Sequence, residues 1–146
     1  MDPLTSKYHK LLLGTAIYNW FVGISMLKPA GAYEFFDITP IPNEDNTLHI
    51  CSMFIFGFGF NYYYASQNLL EHDHYVKMGI TYKAVNLIIA IFDIFVLKIV
   101  TWQYLLLLAP DAILIVIFYK MLQEVKEYKL KHRGGGKNST KHFQGW

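Results

Sequence analysis

Hydrophobic residues gather into four runs along the chain, about Leu11 to Leu27, Leu48 to Ser66, Met78 to Leu97 and Thr101 to Leu122, separated by polar breaks. Each run is close to the ~20 residues that an α-helix needs to cross the hydrocarbon core of a bilayer. Four crossings return the chain to its starting side. The pattern therefore predicts an all-α protein, an integral membrane up-down four-helix bundle over residues 1–122, with both termini on one side.

The breaks fit that plan. Lys28-Pro29 ends the first run, because the residue before a proline is pushed out of helical geometry. From Pro29 to Thr47, Pro40 and Pro42 interrupt any helix and Glu34, Asp37, Glu44 and Asp45 make the segment acidic. An extramembrane loop is expected there, with a short interfacial turn at Tyr33 to Phe36. Gln67 to Lys77 holds Glu71, His72, Asp73 and His74 and reads as a polar turn between antiparallel helices. Lys98 to Thr101 is so short that the third and fourth spans form a tight hairpin. Beyond Leu122 the apolar run gives way to Glu124, Lys126, Glu127 and Lys129, a helical extension into water over Gln123 to His132. It stops at Gly134-Gly135-Gly136, and a flexible basic tail completes residues 123–146.

Composition sharpens the membrane assignment. Of the 146 residues, 53% are hydrophobic and only 16% charged, well below the charged share of ordinary soluble domains. Aromatic residues reach 17%, and such rings suit both tight helix packing and the bilayer interface. The net charge of +2 says less than its placement. Lys7, Lys10, Lys77, Lys120, Lys126, Lys129, Lys131, Arg133, Lys137 and Lys141 fall on the side of the termini, against Lys28, Lys98 and the acidic loop on the other. By the positive-inside rule both termini face the cytoplasm. The polar start, Met1 to Lys10, and the lack of a small-x-small cleavage site make the first run a retained helix and not a signal peptide. The sequon at Asn138-Ser139-Thr140 then lies in a cytoplasmic tail, away from the enzyme that would use it.

Ionisable and amide side chains inside the spans are the candidates for function, since placing a charge in hydrocarbon costs roughly 2.5 to 3.5 kcal/mol even on insertion scales. They are Asn19, Asn61, Lys83, Asn86, Asp93 and Asp111. At 1.5 Å per residue, Lys83 lies roughly 9 Å and Asp111 roughly 15 Å from the cytoplasmic end, a difference that a lysine stem spans. Lys83 and Asp111 are expected to form a buried ion pair flanked by Asn86, Asn19 and Asn61, in the cytoplasmic half of the bundle. Pro110 removes a backbone donor and frees the carbonyl of Leu106. Tyr18, Tyr62 and Tyr82 are candidates to line the same polar pocket. Such contacts also serve simply to fix helix order and register, at about 0.6 kcal/mol each, and that structural role stands beside the functional one. Asp93, near the outer end of the third span, reaches headgroups or pairs with Lys98.

The remaining motifs exclude more than they assign. Gly57-Phe58-Gly59 and Gly23 allow close helix approach; without a preceding strand, G-x-G is no nucleotide loop. Tyr62-Tyr63-Tyr64 on one side and Trp102 with Tyr104 on the other read as aromatic belts. Cys51 is the sole cysteine, so there is no disulfide framework or Cys-based metal motif. None of the six histidines lies in mid-span, where haem ligands project, and His72-Asp73-His74 is at most a weak metal site. There is no nucleophile with an adjacent base, no P-loop and no nucleic-acid module.

Tyr18-Asn19-Trp20 with Gly23, Gly57-x-Gly59 followed by Tyr62 and Ala65, Gly79-x-x-x-Lys83, and Asp111 with Phe118 together resemble small bacterial four-span membrane proteins of the broad DoxX-like family, over about residues 10 to 122. The resemblance implies a four-helix bundle in a bacterial inner membrane and a quinone- or partner-binding role. The chain has no redox cysteine pair or haem ligand set, so no redox activity carries over residue by residue. The expected function is a non-catalytic subunit of a membrane complex or a small-molecule-binding bundle, without a resident cofactor unless it is a quinone. Membrane lipids, further copies of the chain or other membrane subunits are the expected partners, and nucleic acid is not. A proton-coupled transporter or channel, and a membrane enzyme acting on a lipid or quinone, are the alternatives.

Overall fold

The computed structural model describes residues 1–41 and 46–133. Pro42, Glu44 and Asp45 of the acidic loop, the glycine run at Gly134, the basic tail and the sequon at Asn138 lie outside the described residues. All regular structure among the described residues is helical: α1 (Pro3–Ser25), α2 (Ala30–Phe35), α3 (Asn46–Gln67), α4 (Leu69–Phe92), continued by a π-helical turn at Asp93–Leu97, and α5 (Tyr104–Arg133).

Local chemistry explains where the helices depart from the apolar runs. α1 starts at Pro3, well before Leu11, because Asp2 caps it: its carboxylate accepts from the Thr5 N–H at 2.8 Å and also from the Thr5 hydroxyl, and a proline in the first turn forfeits no helical bond. The polar turn expected over Gln67 to Lys77 is instead helix, with Asn68 alone separating α3 from α4. Its cause is again a cap. The Asn68 side chain accepts from Glu71 N–H at 3.3 Å, and Thr5 Oγ1, reaching over from α1, accepts from Leu69 N–H at 2.9 Å. Two orphan donors are thereby satisfied, Leu69 is buried, and the axis bends at His72, whose φ of −105° and ψ of 19° are non-helical. At the other end, α2 begins at Ala30 and overlaps the turn expected at Tyr33 to Phe36, and α5 runs on to Arg133 through the extension expected over Gln123 to His132.

Four long helices pack as antiparallel neighbours. α1 and α3 approach closely because glycine permits it: a Cβ on Gly23 would stand 2.8 Å from Phe56 Cβ, and one on Gly59 would enter the Trp20 indole. Ser52 Oγ donates to the Gly23 carbonyl, and His9 Nδ1 lies 2.9 Å from the Ser66 carbonyl. α4 and α5 are joined by Lys83 to Asp111 and by Lys129 to Asp73 at 3.0 Å. Lys7 on α1 meets Glu124 on α5 at 2.6 Å near the termini.

The core sits toward that terminal end. Leu12, Ala16, Tyr62, Leu69, Val76, Phe118, Met121 and Val125 form one buried cluster drawn from all four long helices. The opposite end is closed by α2, where Tyr33 and Ile38 are buried. Thr39 N–H donates to Thr101 Oγ1 and Thr101 N–H to the Thr39 carbonyl, both at 3.1 Å, tying this segment to the link between α4 and α5. Two stretches, Leu69–Leu97 and Tyr104–His132, are long and apolar enough to cross a membrane. Their outward faces show Ile88, Phe92 and Phe95 on α4 and Ile113, Val116 and Tyr119 on α5, all exposed.

Candidate functional site

The most unusual chemistry in the interior is a charged pair. Lys83 Nζ donates to Asp111 Oδ1, with the two side chains only 3% and 15% exposed. Lys83 comes from the middle of α4 and Asp111 from α5 one residue after Pro110. The ammonium also stands 5.8 Å from the Tyr18 ring centroid and 6.0 Å from that of Tyr62, against the π faces of α1 and α3. An ammonium taken out of water is tolerable only with such company.

Beside the pair lies a cavity of about 220 Å³, bounded by Tyr18, Asn19, Tyr82, Lys83, Asn86 and Asp111 together with Tyr33, Cys51, Tyr104 and several aliphatic side chains. Six of the eight residues expected in a polar pocket therefore share one space. Asn19 is buried and donates its Nδ2 to the Thr15 carbonyl at 2.9 Å, which turns its oxygen into the acceptor it can offer. Tyr82 stacks on Phe58 with centroids 4.6 Å apart.

Asn61 and Tyr62 do not line the cavity. Asn61 stands on α3 about one turn after Phe58 and is half-buried. Tyr62 belongs to the core beneath: its ring lies 5.3 Å from that of Phe118, and its hydroxyl, without a hydrogen-bond partner, presses on Gly79. Tyr62 and Phe118 thus close the terminal side of the pair, and the space opens in the other direction, toward α2. The expectation of a pocket in the half nearer the termini places it on the wrong side of Lys83. Tyr33, Tyr104 and Cys51 are the residues the sequence reasoning missed. Their signal was faint: Tyr33 lies in the acidic loop, Tyr104 reads as part of an interfacial belt, and Cys51 is an isolated cysteine near the start of an apolar run.

Other candidate residues go elsewhere. Among the described residues no ion pair joins Asp93 to Lys98; Asp93 opens the π-helical turn and accepts Ile99 N–H at 3.1 Å, while Lys98, with φ 54°, ends it. Asp73 is held by Lys77 at 2.7 Å and by Lys129, so it is not free to join His72 and His74 on a metal, and no group of three metal-ligating side chains occurs among the described residues.

The arrangement is that of an all-helical protein with a small cavity, partly lined by hydrogen-bonding side chains, beside a self-neutralised ion pair. Comparison with protein-family models, with curated proteins and with solved structures finds no match to this chain.

Proposed function

We propose that the chain is a multi-pass membrane protein in which α1, α3, α4 and α5 all span the bilayer with both termini cytoplasmic, and that it binds a small molecule in the cavity beside Lys83 and Asp111 without transforming it. One observation carries this: a lysine and an aspartate are buried together beside a cavity to which phenols and amides contribute along with aliphatic side chains. A pair serving only to fix helix order has no use for such a space, and intramembrane charges are functional by default. The resemblance to DoxX-like proteins supports the four-span topology and agrees with a ligand of the lipid phase or with a role as a subunit in a larger membrane complex. Nothing in the cavity pairs a nucleophile with a base, which favours binding over catalysis.

Native mass spectrometry of the protein released from lipid nanodiscs tests the proposal. Wild type is expected to carry a retained small molecule that the double variant Lys83→Met, Asp111→Leu loses while staying folded. Equal retention by both proteins, or none by either, overturns it.

A further inference from the structure

Near the termini Lys7 on α1 pairs with Glu124 on α5, and Leu12, Phe118 and Met121 belong to one buried cluster. Toward α2 a groove of about 960 Å³, lined by α1, α2 and α5, lies outside the polar cavity. Phe21, Ile24, Phe35, Leu106 and Pro110 are typical of its apolar walls, and Lys28 is its sole charged residue. Phe21 and Phe35 are 70% and 82% exposed, so the groove opens sideways, into what the proposal above makes hydrocarbon.

The groove and the polar cavity are neighbours through a common wall. Tyr18, Val22, Met26 and Leu107 line both. On α5 the change is abrupt: Pro110 faces the groove and Asp111, the next residue, faces the cavity. We propose that the two spaces form one site for a single-chain amphiphile that enters laterally between α1 and α5, with its head in the cavity beside Lys83 and Asp111 and its tail in the groove over α2. This rests on the binding function proposed above and specifies its ligand class.

The properties of the head follow from the cavity. At about 220 Å³ the cavity has room for a small head such as a ring or a glycerol unit. Lys83 and Asp111 already neutralise each other, so a charged head would add an unpaired buried charge, which is costly. The hydroxyls of Tyr18, Tyr33, Tyr82 and Tyr104 and the amides of Asn19 and Asn86 match a neutral head that gives and takes hydrogen bonds. Pro110 cannot donate to the Leu106 carbonyl, which leaves an acceptor on the groove side of the junction.

The test uses the full chain in phospholipid nanodiscs and a monoacylglycerol with a photoreactive diazirine in its tail. Wild type should be labelled on groove residues such as Phe21, Phe35 and Leu106, and unlabelled monoacylglycerol should suppress that labelling at least tenfold, whereas a fatty acid or a lysophosphatidylcholine should not. Val22→Trp fills the common wall and should reduce competable labelling at least tenfold; Leu107→Trp does the same from α5 and replaces it if the first variant does not fold. Ile113→Trp, on an outward face, should change nothing. Labelling that resists competition, or that survives both wall variants, overturns the lateral site. If the wall variants label like wild type but Lys83→Met, Asp111→Leu alone loses its retained molecule, the cavity still binds a ligand and only the lateral amphiphile fails. If that double variant also behaves as wild type, both proposals fall.

Discussion

The two ends of this helix assembly are made of the same four long helices and are packed differently. Near the termini, Leu12, Tyr62, Phe118, Met121 and Val125 form one buried cluster, and the space at that end lies outside it, in a cleft of about 790 Å³ between α4 and α5 bordered by Asp73, Lys77, Lys126 and Lys129. Toward α2, the same helices enclose a polar cavity and flank an open groove. Side-chain size does not account for it, since Tyr33, Phe36 and Tyr104 are as bulky as anything in the core. At one end Lys7 on α1 and Glu124 on α5 form an exposed ion pair, while at the other a groove lined by α1, α2 and α5 lies between the helices.

Several measurements would break or sharpen that contrast. The largest effect is expected from removing one half of the ion pair. Lys83→Met leaves Asp111 as an uncompensated buried charge and should cost about 3–5 kcal/mol of stability, seen as a lowered unfolding temperature in detergent, whereas adding Asp111→Leu should restore much of the loss. A double variant as unstable as the single one would mean that the pair itself, and not the stranded charge, holds the cavity end together. Next comes the tight α1–α3 seam: Gly23→Leu must displace Phe56 and should cost about 1–3 kcal/mol, with Gly57→Ala, where a Cβ meets nothing within 4 Å, as the near-neutral control.

Smaller effects belong to the end near the termini. Tyr62→Phe removes a buried hydroxyl that has no partner and should stabilise the protein by about 1 kcal/mol; a loss of stability would reveal a bridging water below the pair. Of similar size is the cap of α1. Burial raises the Asp2 carboxyl, but the hydrogen bonds from Thr5 outweigh it and hold the group below its ordinary value of 3.8. Its contribution is therefore complete above that value and fades as the pH falls from there through the lower folded one. Asp2→Ala should cost about 1 kcal/mol at neutral pH, and the difference from wild type should shrink in acid; a difference that is constant down to pH 2 would show that the carboxylate charge is not what caps α1.

What the sequence makes legible is what hydrocarbon penalises. Lys83 and Asp111 are conspicuous in apolar runs, and the helical rise alone puts them within reach of each other. Asn61 shows the limit of that logic. An amide at the same depth need not point to the same place, because a single-residue step turns a side chain by about 100° around the helix, and Tyr62 took the inward position. Long-range caps were equally out of sight: nothing adjacent to Leu69 announces that Thr5, on another helix, accepts its N–H, so a segment rich in charge and histidine reads as a turn. The direction of the cavity depended on where Tyr33 and Tyr104 lie once α2 folds back, and this is a property of the assembled ends of the helices.

The reciprocal bonds between Thr39 and Thr101 make α2 a strut fastened at two points, to α1 through its short connection and to the root of α5 through these threonines. Pulling α1 away from α5 must therefore stretch or rotate the strut, and any molecule that pries the gap wider does mechanical work on the joint between α4 and α5 some distance from where it sits.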